Sequence, residues 1–345
     1  MYLPNESILD DLVDYVAPPR PKLNLGYACI NMELREQKPA KNSVFTSRTC
    51  IQKTFKEKGL SYISELALKN VTDLATIIHW NHLHNIRFFR ISSVLLPWSS
   101  EYNMEDLPDY EAIKAKLEFV GKLSRIYDQR LTFHPDHFTI LCSPKPEVVR
   151  KSMHELEMHS KIFDLMGFKP SRENKINIHV GGVYNCKESA LKRFAENYKK
   201  LSPNVRARLT LENDDVPNSY SVDDLYPLAV ELGIAIVFDL HHQRWCKGKW
   251  SDREALEKAI STWPKGIRPV VHWSESQKGR KPLAHSDYVG LTEKFHLYGY
   301  DTSKVDIMIE SKMKERSLLK YRDELEHKYE NIQKKTLKEF FKKSN

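Results

Sequence analysis

No apolar run in the sequence approaches the roughly 20 residues that a bilayer-spanning helix needs, so no membrane span is expected. The five cysteines, Cys29, Cys50, Cys142, Cys186 and Cys246, are odd in number and form no CxxC pair. A disulfide framework and a cysteine-based zinc site are therefore not indicated, and a reducing compartment is expected. Glycine is scarce, 12 in 345 residues, and no internal repeat or low-complexity segment is present. Collagen-like and disordered classes are set aside on those grounds. The opening MYLPNESILDDLVDYVAPPRP is acidic and lacks the basic and apolar regions of a secretion signal, so none is expected.

What is present fits a large folded enzyme. With 41% hydrophobic and 29% charged residues, the chain can bury a substantial core, and one barrel of typical size with extensions would use all of it. The net charge of +8 and a pI near 9.0 favour an anionic partner such as nucleic acid.

The chain alternates short apolar segments with longer amphipathic ones. Strands are expected at 24–30, 87–92, 131–134, 175–180, 208–212, 234–240, 268–273 and 305–310. Helices are expected near 52–84, 109–128, 146–167, 188–200, 221–232 and 252–261, where apolar residues recur at helical spacing. Ser221 and Asp224 have the spacing of a helix-capping pair. Eight strand-and-helix repeats imply a parallel sheet closed into a single (β/α)8 TIM barrel. The stretch 274–301 reads poorly as a helix, and its Lys278, Arg280 and Lys281 suggest a functional loop or a phosphate contact. The expected division is a leader over 1–23, a barrel over 24–315 and a basic amphipathic helical tail over 316–345. In the tail, Leu318, Leu325, Tyr329, Ile332, Leu337 and Phe341 lie three to seven residues apart, and the final lysines either form a solvated face or touch DNA.

The strand ends carry the chemistry. LTLE ends in Glu212, INIHV carries His179, IVFDLHH carries Asp239, His241 and His242, RPVVHW carries His272, LTFHP carries His134, and VDIMIES carries Glu310. A single histidine on an apolar strand is usually a hydrogen-bonded core residue. Six strand ends that each deliver a His, Asp or Glu to one barrel mouth are different, because carboxylates gathered there need cations. Imidazole and carboxylate donors together suit Mn, Zn or Fe.

In order along the chain, GYACINMEL, RISSVLLP, LTFHPDHF, IHVGGVY, LENDD, FDLHH, VVHWSES and IESKMKE resemble the motifs of UV damage endonucleases, relatives of endonuclease IV in the xylose-isomerase-like barrel group. The resemblance spans about residues 24–315. It implies a centre of three divalent ions, Mn2+ first and Zn2+ or Mg2+ as alternatives. It further implies incision of double-stranded DNA 5′ to ultraviolet photolesions, leaving a 3′-hydroxyl. Carried over by motif, the ligands are His134, His179, Glu212, Asp239, His242, His272, His285 and Glu310, with Glu212 the bridging carboxylate. The doubled histidine leaves His241 and His242 interchangeable by alignment, the three-residue step after Asp239 favouring His242. Glu212 and Lys312 are the expected catalytic pair, Lys312 adding positive charge at the phosphate or serving as a surface lysine.

Lesion probing falls by the same resemblance to His137 and Phe138, where some members carry Gln-Tyr, and to Tyr27 and Asn31. Two departures stand out: Val94 replaces a histidine of some relatives, and Val270 replaces a lysine that is modified in some. A monomer is expected, cytoplasmic and nucleoid-associated in a bacterium or nuclear in a eukaryote. Competing readings are an abasic-site endonuclease of the endonuclease IV type, a metal-dependent sugar isomerase of the same barrel group, and a non-catalytic DNA-binding protein. The last would have no use for Glu212, Asp239 and Glu310, which repel phosphates when no metal is bound.

Overall fold

The computed structural model describes residues 7–277, 281–290 and 299–325. A short helix α1 (Ile8–Asp11) precedes strand β1 (Asn24–Ala28). Then come α2 (Met32–Arg35), α3 (Gln52–Leu83), β2 (Phe88–Ile91), α4 (Tyr110–Ile126), β3 (Arg130–Phe133), α5 (Pro146–Leu165) and β4 (Ile176–Ile178). These are followed by α6 (Lys187–Tyr198), α7 (Pro203–Arg208), β5 (Leu209–Glu212), α8 (Val222–Leu232), β6 (Ala235–Asp239), α9 (Asp252–Ser261) and β7 (Val270–Trp273). A hairpin of β8 (Ser276–Gln277) and β9 (Lys281–His285) leads to β10 (Asp306–Ile309), and residues 314–325 are helical. Eight of the strands close into a parallel barrel in the order β1-β10-β7-β6-β5-β4-β3-β2, the expected TIM barrel.

Side-chain period explains both layers of the barrel. Residues of one phase, such as Leu25, Phe89, Leu131, Ile176, Leu209, Ile236, Val271 and Ile307, pack outward against the helices in the main core. The opposite phase points inward, since successive side chains of a strand alternate faces. There Ala28, Phe88, Ala235, Val237, Val270 and Met308 form a small apolar cluster. The inward phase also carries Asn24, Arg90, Arg130, Thr132, Asn177, Thr210, Glu212, Asp239, His272 and Asp306. Reading the strands as apolar runs with polar ends therefore missed the polar side chains that share the interior with this cluster.

At the bottom, Asp306 accepts from Arg130 at 2.7 Å and from Asn24 at 2.9 Å, and pairs with Arg268 at 3.1 Å, all inside the barrel or at its floor. The guanidinium of Arg130 also donates to the carbonyls of Glu173, Arg268 and Arg172. From the leader, Arg20 bridges Asp128 at 2.9 Å and Glu173 at 2.7 Å and so ties residues before β1 to the same end.

The expected helices match the observed ones to within about two residues at each end, and Ser221 and Asp224 form a reciprocal capping box on α8. Sequence periodicity missed the six-residue α7 and the β8–β9 hairpin, both too short to register. The hairpin lies in the stretch read as a functional loop. Of its cations, Lys278 and Arg280 fall outside the described residues. The tail is helical as far as residue 325, with Leu318 and Tyr321 buried; Tyr329, Ile332, Leu337 and Phe341 fall outside the described residues.

Candidate active site

At the C-terminal mouth of the barrel, side chains from several strand ends converge on the carboxylate of Glu212, the last residue of β5. His134, just past β3, places Nε2 at 3.1 Å from Oε2, and His179, just past β4, places Nε2 at 3.9 Å from the same oxygen. His272 of β7 sets Nδ1 at 3.0 Å from Oε1 and at 3.2 Å from Glu310. His242 brings Nδ1 to 3.4 Å from Oε1. Asn177, inward on β4, donates to Oε2.

Two donor groups able to hold a metal ion result, His134 with His179 and Glu212, and Glu212 with Asp239, His272 and Glu310; within each, the donor atoms lie within 4.8 Å of one another. Glu212 belongs to both. His242 and His285 stand at the edge of these groups. His242 Nε2 lies 3.9 Å from Asp239, and His285, delivered by β9, lies 4.0 Å from Glu310.

The imidazoles are oriented from behind. His134 Nδ1 meets the Pro135 carbonyl at 3.0 Å, His179 Nδ1 meets Asp214 at 2.7 Å, His242 Nδ1 meets the Asn213 carbonyl at 2.8 Å, and His285 Nδ1 meets Ser274 at 2.6 Å. Anchoring one ring nitrogen fixes the tautomer and leaves the other to accept a metal. In all four rings Nδ1 is the atom turned to that partner and Nε2 the one turned toward the carboxylates.

Electrostatics show that this mouth suits cations. Burial alone would raise the carboxyl of Glu212, but the imidazoles of His272, His134 and His179 outweigh it and hold the group well below its usual range. Glu310 behaves alike, with burial overcome first by Arg90, which donates to it, and then by His272. Burial lowers His242, yet Asp239, Glu212 and Glu310 more than reverse this and push it up to about 10. Among the described residues, the buried Asp239 Oδ2 has no hydrogen-bond donor and the buried His272 Nε2 no partner. An unpartnered carboxylate oxygen among imidazoles is costly unless a cation takes the place. The donor set, His with Asp and Glu, fits a divalent ion of the Mn or Zn type.

The structure brings together all eight sequence-derived ligand candidates, though His242 and His285 lie outside the two compact groups. It separates the doubled histidine: His242 faces Glu212, whereas His241 turns Nε2 to the Leu283 carbonyl at 3.0 Å and sits beside the His285 ring at 5.4 Å. Lys312 is exposed and its backbone N–H donates to Ser286. The lysine in the field of Glu310 and Arg90 is Lys314, two residues on.

His137 and Phe138 project from the loop after β3, with 76% of the His137 side chain and 72% of Phe138 exposed. Tyr27 and Asn31, the other pair expected to probe, do not reach the surface. Tyr27 shares the outward phase of Leu25, so it points at α3 and donates to Asn81 at 2.7 Å. Asn31 donates to the Tyr27 hydroxyl and caps α2; both residues are fully buried. Of the two valine departures, Val270 lies in the inner apolar cluster, and Val94 offers its carbonyl to Asn70.

Sequence reasoning missed Arg90, Asn177, Asp214, Lys175 and Lys314. Lys175 is fully buried, its amine lacks a partner among the described residues, and burial lowers it to about 7. The available signal was alternation: Lys175, Asn177 and His179 share one phase of KINIH, with Ile176 and Ile178 on the other.

A family model described as UV-endonuclease UvdE matches residues 23–340. The chain belongs to that family. It is an endonuclease, with DNA as the substrate that membership implies. The UV-damage endonuclease of Schizosaccharomyces pombe is 38% identical over 321 residues, covering 89% of this chain and 51% of that one, so the chain spans about half of that relative. A UV DNA damage endonuclease of Bacillus cereus is 33% identical over 308 residues, 88% of this chain and 94% of the relative. The crystal structure of SacUVDE superposes with a TM-score of 0.77 at 32% identity, covering 88% of this chain and 98% of that one. No helix among the described residues is long and apolar enough to cross a membrane.

Proposed function

We propose that this endonuclease is metal-dependent and incises double-stranded DNA on the 5′ side of ultraviolet photolesions, cyclobutane pyrimidine dimers and 6-4 photoproducts, leaving a 3′-hydroxyl. The observation that carries the reading is Glu212, shared by two donor groups at the mouth of a basic chain whose relatives are named for UV damage. Divalent ions bound there supply charge neutralisation at a phosphodiester and a more acidic water. His134, His179 and Glu212 would hold one ion, and Asp239, His272, Glu310 and Glu212 would hold a second. His242 and His285 are the donors left for a third. Mn2+ is the first candidate.

The chain's own groups do the rest. Arg90 fixes the Glu310 carboxylate from below, Asp214 holds His179 in its metal-accepting tautomer, and Asn177 orients Glu212. Phe138 and His137 stand free to enter a duplex whose stacking a photodimer has already weakened. The protein acts as a monomer, in the nucleoid of a bacterium or the nucleus of a eukaryote.

End-labelled duplex carrying one defined photodimer tests the reading. The expected product is a single cut immediately 5′ to the lesion that a DNA polymerase extends. A cut on the 3′ side, or an end that cannot be extended, contradicts it.

A further inference from the structure

We propose that Tyr184 is a second lesion-contacting residue, an aromatic platform that stacks on an unstacked base of the damaged strand beside Phe138. The inference rests on the reading of the site as a photolesion endonuclease and deepens it.

The two aromatics occupy equivalent places on neighbouring loops. Phe138 lies four residues past His134, and Tyr184 five residues past His179; both histidines approach the same oxygen of Glu212. The loops are packed together. Cys142 Sγ donates to the Gly182 carbonyl at 3.4 Å, and a Cβ added to Gly181, whose φ is +106°, would meet Ile140 Cγ2 at 2.6 Å. Arg193 fastens the pair by donating from Nε to the Cys142 carbonyl at 2.8 Å while its guanidinium lies 5.5 Å from the Tyr184 ring centre.

Tyr184 is not placed as a core residue would be. The residue is 41% exposed and its hydroxyl bonds no group among the described residues, although buried or anchoring tyrosines ordinarily satisfy theirs. Its φ is 48° and that of Asn185 is 66°, so two successive residues occupy the left-handed region that L side chains rarely adopt. Neither hydrophobic burial nor a hydrogen bond explains holding an aromatic there. Stacking on a base does, because every base offers a π-face, and the Arg193 guanidinium beside the ring adds charge that suits a polyanion.

The test uses the full chain and three duplexes: one with a single photodimer, one undamaged, and one with 2-aminopurine next to the photodimer. Tyr184→Asn removes the ring and keeps a residue that tolerates the left-handed backbone. Tyr184→Phe keeps the ring. Tyr184→Asn is expected to raise Kd for the photodimer duplex by roughly 5- to 100-fold, the range for losing one stacked base, with undamaged-duplex affinity within about twofold. Tyr184→Phe is expected to retain parental affinity and parental quenching of 2-aminopurine, which Tyr184→Asn loses. Parental affinity and quenching in Tyr184→Asn, or equal losses on damaged and undamaged duplexes, overturn the proposal. A parent protein without preference for the photodimer duplex overturns the photolesion reading itself, and this proposal with it.

Discussion

Replacing Glu212 with Gln alters one atom and removes one charge, yet the two donor groups feel it unequally. The group with His134 and His179 loses its sole carboxylate, whereas the group with Asp239, His272 and Glu310 keeps two of three. Gln preserves volume at a site that is 1% exposed, so the fold should survive, as circular dichroism would show. Loss of an outer partner of a metal ligand already costs roughly 10- to 100-fold in metal affinity, so loss of the shared carboxylate should exceed about 100-fold at the His134–His179 position. That amounts to one ion fewer per chain after dialysis. If that ion and the charge balance across both positions contribute about 4 kcal/mol to the transition state, single-turnover incision should fall about 1,000-fold. Undamaged-duplex binding should change little, because it depends on phosphate contacts elsewhere. Metal analysis and incision should be read on the same preparation. A Glu212→Gln protein that retains its full metal content and cuts within about tenfold of the parent refutes the shared-carboxylate reasoning.

Three further outcomes follow from separate parts of the molecule. Asp306→Ala strips Arg130 of its fully buried partner at 2.7 Å and should cost about 3–5 kcal/mol in urea unfolding. A loss under about 1 kcal/mol would mean that the carbonyl acceptors of Arg130 suffice. His82, lowered to about 4 first by burial and then by Arg87, is neutral in the fold. Since the unfolded chain takes up the proton near pH 6.5, stability should decline as pH falls from about 6.5 toward 4. His82→Phe, which preserves stacking on Tyr127 at 3.8 Å, should reduce the fall in Tm between pH 7 and 5, and identical curves for parent and variant would contradict this. Lys314→Ala should lower kcat at least about tenfold while Lys312→Ala leaves it near parental, if only Lys314 faces the phosphate; the reverse order in rapid-quench incision would restore Lys312.

The barrel was legible because each strand keeps its helix-facing phase apolar and each helix keeps a 3.6-residue stripe. Ligand candidates were legible because His and carboxylates at strand ends have no structural reason to cluster. The inward polar column was not. Arg130 lies one residue before the segment expected at 131–134 and Asp306 inside the one expected at 305–310, and they make sense only once β3 and β10 are known to face each other across the interior. Phase also decides Tyr27: counted from Gly26, whose inward position leaves no room for a Cβ against Phe88, Tyr27 must point at α3. Asp214 was hidden within LENDD, where three consecutive polar residues after Glu212 give no hint of which one reaches His179. The hairpin that delivers His285 is too short for periodicity to reveal, so its histidine was found by resemblance alone.

The most direct test of the account is a parallel rate measurement on three duplexes, one with a single photodimer, one with a single abasic site and one undamaged, each with and without chelator. The account expects fast incision 5′ to the photodimer, loss of that cut on chelation and its recovery with Mn2+. Undamaged DNA should stay intact. Equal or faster cutting at the abasic site would transfer the function to the endonuclease IV type, and chelator-resistant cutting at the photodimer would contradict the metal role assigned to Glu212.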